Sequence, residues 1–214
     1  MDFIETHLAA YAEQHSTKES DLLAKINRET YRDVLIPRML SGHLQGRILS
    51  FFSKLKQPKV ILEIGTYTGY SALCLAEGLA ADGELHTIEK NEELEDRIKG
   101  YFDESEHASK MHLHIGDALA IIPQLEKSID LVFIDADKEN YLNYYNLLID
   151  QLPSGALIIA DNVLWSGKVT SEEERAKDRD TAALHAFNTA IHQDSRVSNV
   201  LMPVRDGLMV IQKK

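Results

Sequence analysis

Two short apolar runs end in side chains suited to holding a cation. Residues 129–134 (Ile-Asp-Leu-Val-Phe-Ile) lead into Asp135-Ala136-Asp137-Lys138, and residues 156–160 (Ala-Leu-Ile-Ile-Ala) lead into Asp161-Asn162. Runs of this length, rich in β-branched residues, read as strands buried on both faces of a parallel sheet. In open α/β sheets the ligand sits just beyond the carboxyl ends of the strands. Two such ends would bring Asp135, Asp161 and Asn162 to one crevice, as three oxygen donors of the kind that hard cations such as Mg²⁺ prefer. Lys138 adds an ionisable amine three residues after the first aspartate. Plainer readings stand beside this one: Asp-Asn is a frequent turn after a strand, and Lys138 could pair with Glu139 or Asp137 on the surface. Taken alone, the set would serve a phosphatase or any Mg²⁺ enzyme.

The elements that must position these residues follow a regular order. Before residue 55 the periodicity is helical: Ile4, Leu8 and Tyr11 recur on one face, as do Leu22, Leu23 and Ile26, and, after Pro37, Leu44, Ile48, Leu49 and Phe52. From Lys59 strands and helices alternate, with strands expected at 60–64, 84–88, 111–115, 129–134 and 157–160. Helices are expected at 70–79, 92–101, from 118, at 140–149 and at 181–192. Such alternation predicts a largely parallel sheet with right-handed crossovers. The last two strands, 197–201 and 208–211, are joined by six residues that leave no room for a helix, so they should pair antiparallel. A parallel sheet closed by an antiparallel hairpin is the arrangement of class I methyltransferases. The polar segment 168–180 is expected to be a mobile loop beside the crevice.

The composition narrows the class. The chain has 214 residues, 44% hydrophobic and 27% charged, which suits one α/β domain: a helical extension over 1–55 and a Rossmann-like core over 56–214. A net charge of -11 argues against a general nucleic-acid partner. The single cysteine, Cys74, excludes a disulfide framework and reads as a core filler. An acidic N-terminus without an apolar core is no signal peptide, and no apolar run reaches ~18 residues, so the expected location is cytoplasmic with no membrane partner.

Residues 60–71 (Val-Ile-Leu-Glu-Ile-Gly-Thr-Tyr-Thr-Gly-Tyr-Ser) form a strand, a tight turn and a helix start. Gly65 permits the sharp bend and the close approach of a ligand. The spacing Glu63-x-Gly65-x-x-x-Gly69 is not the dinucleotide pattern, which counts against a nicotinamide-dependent oxidoreductase, the main alternative. An acidic residue near the strand end suits a cationic ligand better than a phosphate, and S-adenosylmethionine carries an ammonium and a sulfonium. Glu89, at the end of the second strand, can accept both hydroxyls of a ribose, and Gly116-Asp117-Ala118 after the third strand is placed to meet an adenine.

With these residues in view, the chain resembles the cation-dependent O-methyltransferases, the group of caffeoyl-CoA and catechol O-methyltransferases, and most closely its caffeoyl-CoA-like and bacterial branch. The matching segments are residues 63–71, 133–141 (Phe-Ile-Asp-Ala-Asp-Lys-Glu-Asn-Tyr), 160–167 (Ala-Asp-Asn-Val-Leu-Trp-Ser-Gly) and 201–207 (Leu-Met-Pro-Val-Arg-Asp-Gly). The resemblance implies a Rossmann-like, seven-stranded, mostly parallel sheet with an antiparallel C-terminal hairpin. It implies a divalent metal, Mg²⁺ with Mn²⁺ or Ca²⁺ as alternatives, on Asp135, Asp161 and Asn162. S-adenosylmethionine would lie against Met39, Ser41, Glu63, Gly65, Ser71, Glu89, Ala118 and Asp135. Lys138 would be the catalytic base, the acceptor a small aromatic diphenol, and the assembly a homodimer. A protein that binds adenosylmethionine without catalysis is the further alternative. Tyr67, Tyr144 and Trp165 are candidates for the acceptor wall, although aromatics near strand ends more often serve packing.

Overall fold

The computed structural model describes residues 5–214. Ile4, the first member of the N-terminal helical pattern, lies outside them. Helix α1 (Thr6–Gln14) forms, but none of its residues is buried, and Leu8 and Tyr11 are exposed. Helix α2 (Asp21–Asp33) starts where the Ser20 hydroxyl accepts the Leu23 N–H, and it buries Leu23, Ile26 and Thr30. A 3₁₀ turn at Pro37–Met39 leads into α3 (Gly42–Lys56).

The apolar face expected for α3 is displaced. Leu49 is buried, but beside it lie Gln45, Gly46, Ser50 and Ser53, while Leu44, Ile48 and Phe52 are only half-buried. The cause is close packing on the next helix, α4 (Tyr70–Ala76): a Cβ at Gly46 would stand 2.7 Å from the Tyr70 ring and 2.8 Å from the Cys74 sulfur. Small residues, rather than large apolar ones, let the two helices approach this closely.

Five parallel strands follow the expected order: β1 (Val60–Ile64), β2 (Glu84–Glu89), β3 (Met111–Ile115), β4 (Leu131–Ile134) and β5 (Leu157–Ala160). Between them lie α5 (Glu95–Asp103), α6 (Ala118–Ile121) and α7 (Tyr141–Leu148). Strand β4 begins two residues later than expected because Asp130 turns its carboxylate to the N–H groups of Lys59 and Val60. The tail forms β6 (Val197–Met202) and β7 (Leu208–Lys213), paired antiparallel, with β7 inserted between β5 and β6. The sheet order is β3-β2-β1-β4-β5-β7-β6.

Alternate strand residues serve two cores. Ile61, Leu85, Leu131, Phe133 and Ile159 pack on one face with α2 to α5; Leu62, Ile64, Val132, Ile134 and Ile158 pack on the other with α7 and α9 (Arg179–Gln193). Phe133 is wholly buried; removing such a side chain from water contributes about 2–3 kcal/mol. Cys74 is a buried free thiol in the first core, as expected of a filler.

Segment 168–180 is ordered, against expectation. The Ser171 hydroxyl accepts the Glu174 N–H and starts α8 (Glu172–Lys177), whose first turn is acidic. Asp178 then caps α9 and accepts bonds from Thr181 Oγ1 (2.7 Å) and Trp165 Nε1 (3.3 Å). The Ser-x-x-Glu capping pattern was the sequence signal for this helix. Among the described residues, no helix is long and apolar enough to cross a membrane.

Candidate active site

The strand order reverses between β1 and β4, and there the first connection runs to one side and the next to the other, opening a crevice beyond the strand ends. A cavity of about 1010 Å³ fills it. Its floor is made by the ends of β1, β2, β4 and β5, one wall by the segment before α3, and the other by Trp165 and the β6–β7 turn. Gly65 makes this floor possible. Its φ is +97°, and a Cβ there would lie 2.0 Å from the Asp135 carbonyl oxygen, so only glycine lets the ends of β1 and β4 meet.

Met39, Ser41, Gly65, Ser71, Glu89, Ala118 and Asp135 all line the cavity. The Glu89 carboxylate is fixed by two backbone donors, Tyr67 N–H to Oε2 (2.7 Å) and Asn91 N–H to Oε1 (2.8 Å). Asp117 caps α6 by accepting the Leu119 N–H at 3.0 Å, which sets Ala118 at the cavity edge.

Glu63 departs from the expected donor-site set: it is not on the cavity wall. It lies wholly buried behind it, because strand alternation turns it toward the face covered by α4, and the chain reaches the crevice only two residues later at Gly65. Thr87 Oγ1 donates to its Oε2 at 2.5 Å, while Oε1 is buried without a hydrogen bond. Burial pushes the carboxyl up to about 8; the nearby Ser71 and Thr87 hydroxyls offset this in part, and the charges of Asp135 and Glu89 add to it. A cation arriving next to Ser71 would relieve that cost, which fits the positively charged methionine end of adenosylmethionine.

On the other side stand Asp135, Asp161, Asn162 and Lys138, all lining the same cavity. Lys138 is not a surface residue. It is buried, and its Nζ donates to Asp135 Oδ1 (3.0 Å) and to Tyr141 Oη (2.6 Å), which in turn donates to the Asp161 carbonyl (3.0 Å). Burial works against the Lys138 charge, but Tyr141 and Asp135 outweigh it and hold the amine above its ordinary range. Asp161 is also buried; Gln45 Nε2 donates to its Oδ2 at 2.6 Å and the Asn162 N–H to its Oδ1 at 2.7 Å. Burial and the nearby Asp135 charge nevertheless push its carboxyl up to about 7. The Asp135 charge raises the proton affinity of Asp161, and with the Asn162 amide oxygen beside them the two carboxylates form an oxygen donor set that a divalent cation fits. Asp137 accepts bonds from Tyr144 Oη and Asn140 Nδ2 and so serves as a structural anchor.

The family model of the O-methyltransferases matches residues 13–214. The chain belongs to the O-methyltransferase family. It is thereby an adenosylmethionine-dependent methyltransferase, which decides against the nicotinamide-dependent alternative. Among its curated relatives are a caffeoyl-CoA O-methyltransferase of Stellaria longipes, 30% identical over 200 residues (89% of this chain and 83% of that protein), and caffeoyl-CoA O-methyltransferase 1 of Nicotiana tabacum, 34% identical over 179 residues (79% and 75%). Among solved structures, the O-methyltransferase TomG of Streptomyces achromogenes, in complex with SAM, superposes with a TM-score of 0.88 at 28% identity, covering 97% of this chain and 96% of that one. An O-methyltransferase of Bacillus cereus in complex with SAH gives 0.89 at 26% identity, covering 98% of each.

The cavity also brings in residues to which no role was assigned from the motifs. Gln45 and Tyr141 hold Asp161, and Tyr31, Arg38 and Arg205 line the cavity. For Gln45 the available signal was a polar side chain beside the apolar stripe of a helix, since a buried amide must be hydrogen-bonded. Arg38 carries no such local mark, and Arg205 stood inside the matching segment 201–207 without a role. Tyr67, Tyr144 and Trp165 do reach the cavity.

Proposed function

We propose that this methyltransferase moves the methyl group of S-adenosylmethionine to one hydroxyl of a small aromatic vicinal diphenol, of catechol or caffeoyl type, with a divalent cation held by Asp135, Asp161 and Asn162. The observation that carries this reading is the position of Asp135. Its backbone packs on Gly65 of the donor loop, its side chain pairs with Lys138, and its charge raises the proton affinity of both Glu63 and Asp161. The donor side and the oxygen-ligand side thus share one residue and one cavity.

Methyl transfer from a sulfonium to oxygen is an in-line displacement by a nucleophile that must be aligned and deprotonated. A cation such as Mg²⁺ at this site supplies charge stabilisation for a phenolate oxygen and a fixed orientation for the vicinal pair. The chain does the rest. Glu89, with both oxygens anchored by backbone N–H groups, is set to accept the ribose hydroxyls, and Ser71 with Glu63 behind it faces the ammonium end. Tyr67, Tyr144 and Trp165 flank an aromatic acceptor and keep water from the reacting atoms, and alignment removes much of the entropic barrier. Lys138 stands protonated beside Asp135; with a cation held by Asp135 it would give up that proton to solvent more readily, and the neutral amine would then accept the hydroxyl proton. The homodimer implied by the resemblance belongs to this reading, and light scattering reads it directly.

Methyl transfer to a panel of catechols and their CoA esters, with and without EDTA, tests the proposal. Turnover should be lost in EDTA and restored by Mg²⁺; undiminished turnover would remove the metal from the mechanism. Asp161→Ala should abolish turnover while calorimetry still detects adenosylmethionine binding. Binding without turnover on every acceptor would instead support a non-catalytic role.

A further inference from the structure

A second cluster of ligating side chains lies on the sheet face that carries α6. Glu84 and His86 of β2 and His112 and His114 of β3 point to this face, because alternate residues share a face and His86 is in register with His112. Glu84 opens β2 and Glu89 closes it, so the cluster begins roughly 16 Å of strand from the donor end of the crevice. His112 Nε2 stands 3.4 Å from Glu84 Oε2, and His86 Nε2 stands 3.5 Å from Glu84 Oε1. One ligand atom from each of the three residues falls within 4.8 Å of the others. With metal–ligand distances of about 2.0–2.2 Å, a tetrahedral zinc site spaces its ligand atoms at about 3.3–3.6 Å; each histidine already stands at that spacing from one Glu84 oxygen, His112 from Oε2 and His86 from Oε1.

We propose that Glu84, His86 and His112 form a second metal site, of Zn²⁺ type, separate from the oxygen-ligand site of the crevice. Two features support it. First, His86 Nε2 is buried and makes no hydrogen bond, although it faces the group. Second, His86 Nδ1 is 3.0 Å from His114 Nε2, so one ring nitrogen of His86 is already engaged and the other is left for a metal. An outer partner of this kind orients most metal-binding histidines. Nitrogen donors favour Zn²⁺, Ni²⁺ or Cu²⁺ over Mg²⁺. One charge competes: Lys127 Nζ lies 2.8 Å from Glu84 Oε1. Its side chain is 45% exposed and can swing into solvent, so it weakens the site without blocking it. A metal bridging β2 and β3 would pin the edge strand of the sheet and add to stability.

The test uses untagged, chelator-stripped full-length protein, Zn²⁺ as the probe, and the wild type, His112→Ala, Glu84→Gln and Asp161→Ala. Both substituted cluster residues are partly exposed, and circular dichroism checks their folding. Calorimetry should show a saturable Zn²⁺ site that survives Asp161→Ala and weakens at least about tenfold in His112→Ala and in Glu84→Gln. At about 100 times the dissociation constant, Zn²⁺ should raise the wild-type Tm by roughly 5–10 °C, and this rise should vanish in the two cluster variants. Zn²⁺ binding unchanged in His112→Ala and Glu84→Gln, binding lost only in Asp161→Ala, or no saturable binding up to roughly 100 μM would each overturn the assignment. Co²⁺ loading of Asp161→Ala, in which the crevice site is removed, gives a second reading: tetrahedral visible bands are expected, and an octahedral spectrum counts against the site.

Discussion

Glu63→Gln should make the ligand-free protein more stable and its donor binding weaker. Glu63 is wholly buried, and its carboxyl stands at about 8 against an ordinary 4.5. The unfolded chain releases that proton near pH 4.5, whereas the folded chain keeps it until about pH 8. Stability from this group is therefore full below pH 4.5 and is lost as the pH rises toward 8. At pH 7 the group has crossed about 2.5 units at 1.36 kcal/mol each, a loss of ~3 kcal/mol. Glutamine has the same shape, can still accept from Thr87 and does not ionise, so it removes this pH-dependent loss. For a chain of this length ~3 kcal/mol corresponds to a Tm rise of roughly 6–12 °C at pH 7, shrinking to almost nothing at pH 4.5. Adenosylmethionine affinity should fall by about tenfold or more, because a neutral amide cannot meet the ammonium charge. Scanning calorimetry of both proteins between pH 4.5 and 8.5, with titration of the donor at pH 7.5, measures both effects. Melting curves that stay parallel across this range would refute the account of Glu63 as a buried group awaiting a cation.

Gly65→Ala should cost more than about 4 kcal/mol in urea unfolding or prevent folding, since its methyl group would lie 2.0 Å from a backbone oxygen that cannot move alone. A loss below about 1 kcal/mol would mean that β1 and β4 can part at the floor. For Glu77, burial would raise the carboxyl, but bonds from Arg47 (2.6 Å), Lys54 and Ser50 outweigh it and hold the group at about 2. Its contribution of ~3 kcal/mol is present above pH 4.5 and is lost as the pH falls toward 2. Glu77→Gln should flatten that acid limb and lower stability by about 2–3 kcal/mol at pH 7, as read by denaturant titration at several pH values. Lys138→Ala should lower kcat by about 10²–10⁴-fold with donor affinity little changed; a variant that keeps full kcat assigns proton removal to another group.

The metal-type ligands at two strand ends, the donor loop and the ribose acid were legible because each is local: a strand, then a turn, then the residue that the turn exposes. The antiparallel tail was legible for the same reason, since six residues leave no room for a crossover. Segment 168–180 was misread because charge density outweighed a capping pattern that was present, Ser171 with Glu174. The α3 face was misread because hydrophobicity ranks Phe52 above Gly46, whereas helix approach favours the smaller residue.

The sequence by itself determined the alternation of elements, the family and a set of site residues that, Glu63 apart, all face the crevice, because strand periodicity and turn chemistry act over a few neighbours. The tertiary structure alone decided which strands lie side by side. It placed β7 between β5 and β6, set Asp135 against Gly65, brought Gln45 to Asp161 across 116 positions of chain, and drew Glu63 back behind the wall. It also put His86 in register with His112, which the spacing within either strand could not foretell. Pairing and helix docking are settled by how large buried surfaces fit together, and that fit depends on residues far apart in the chain.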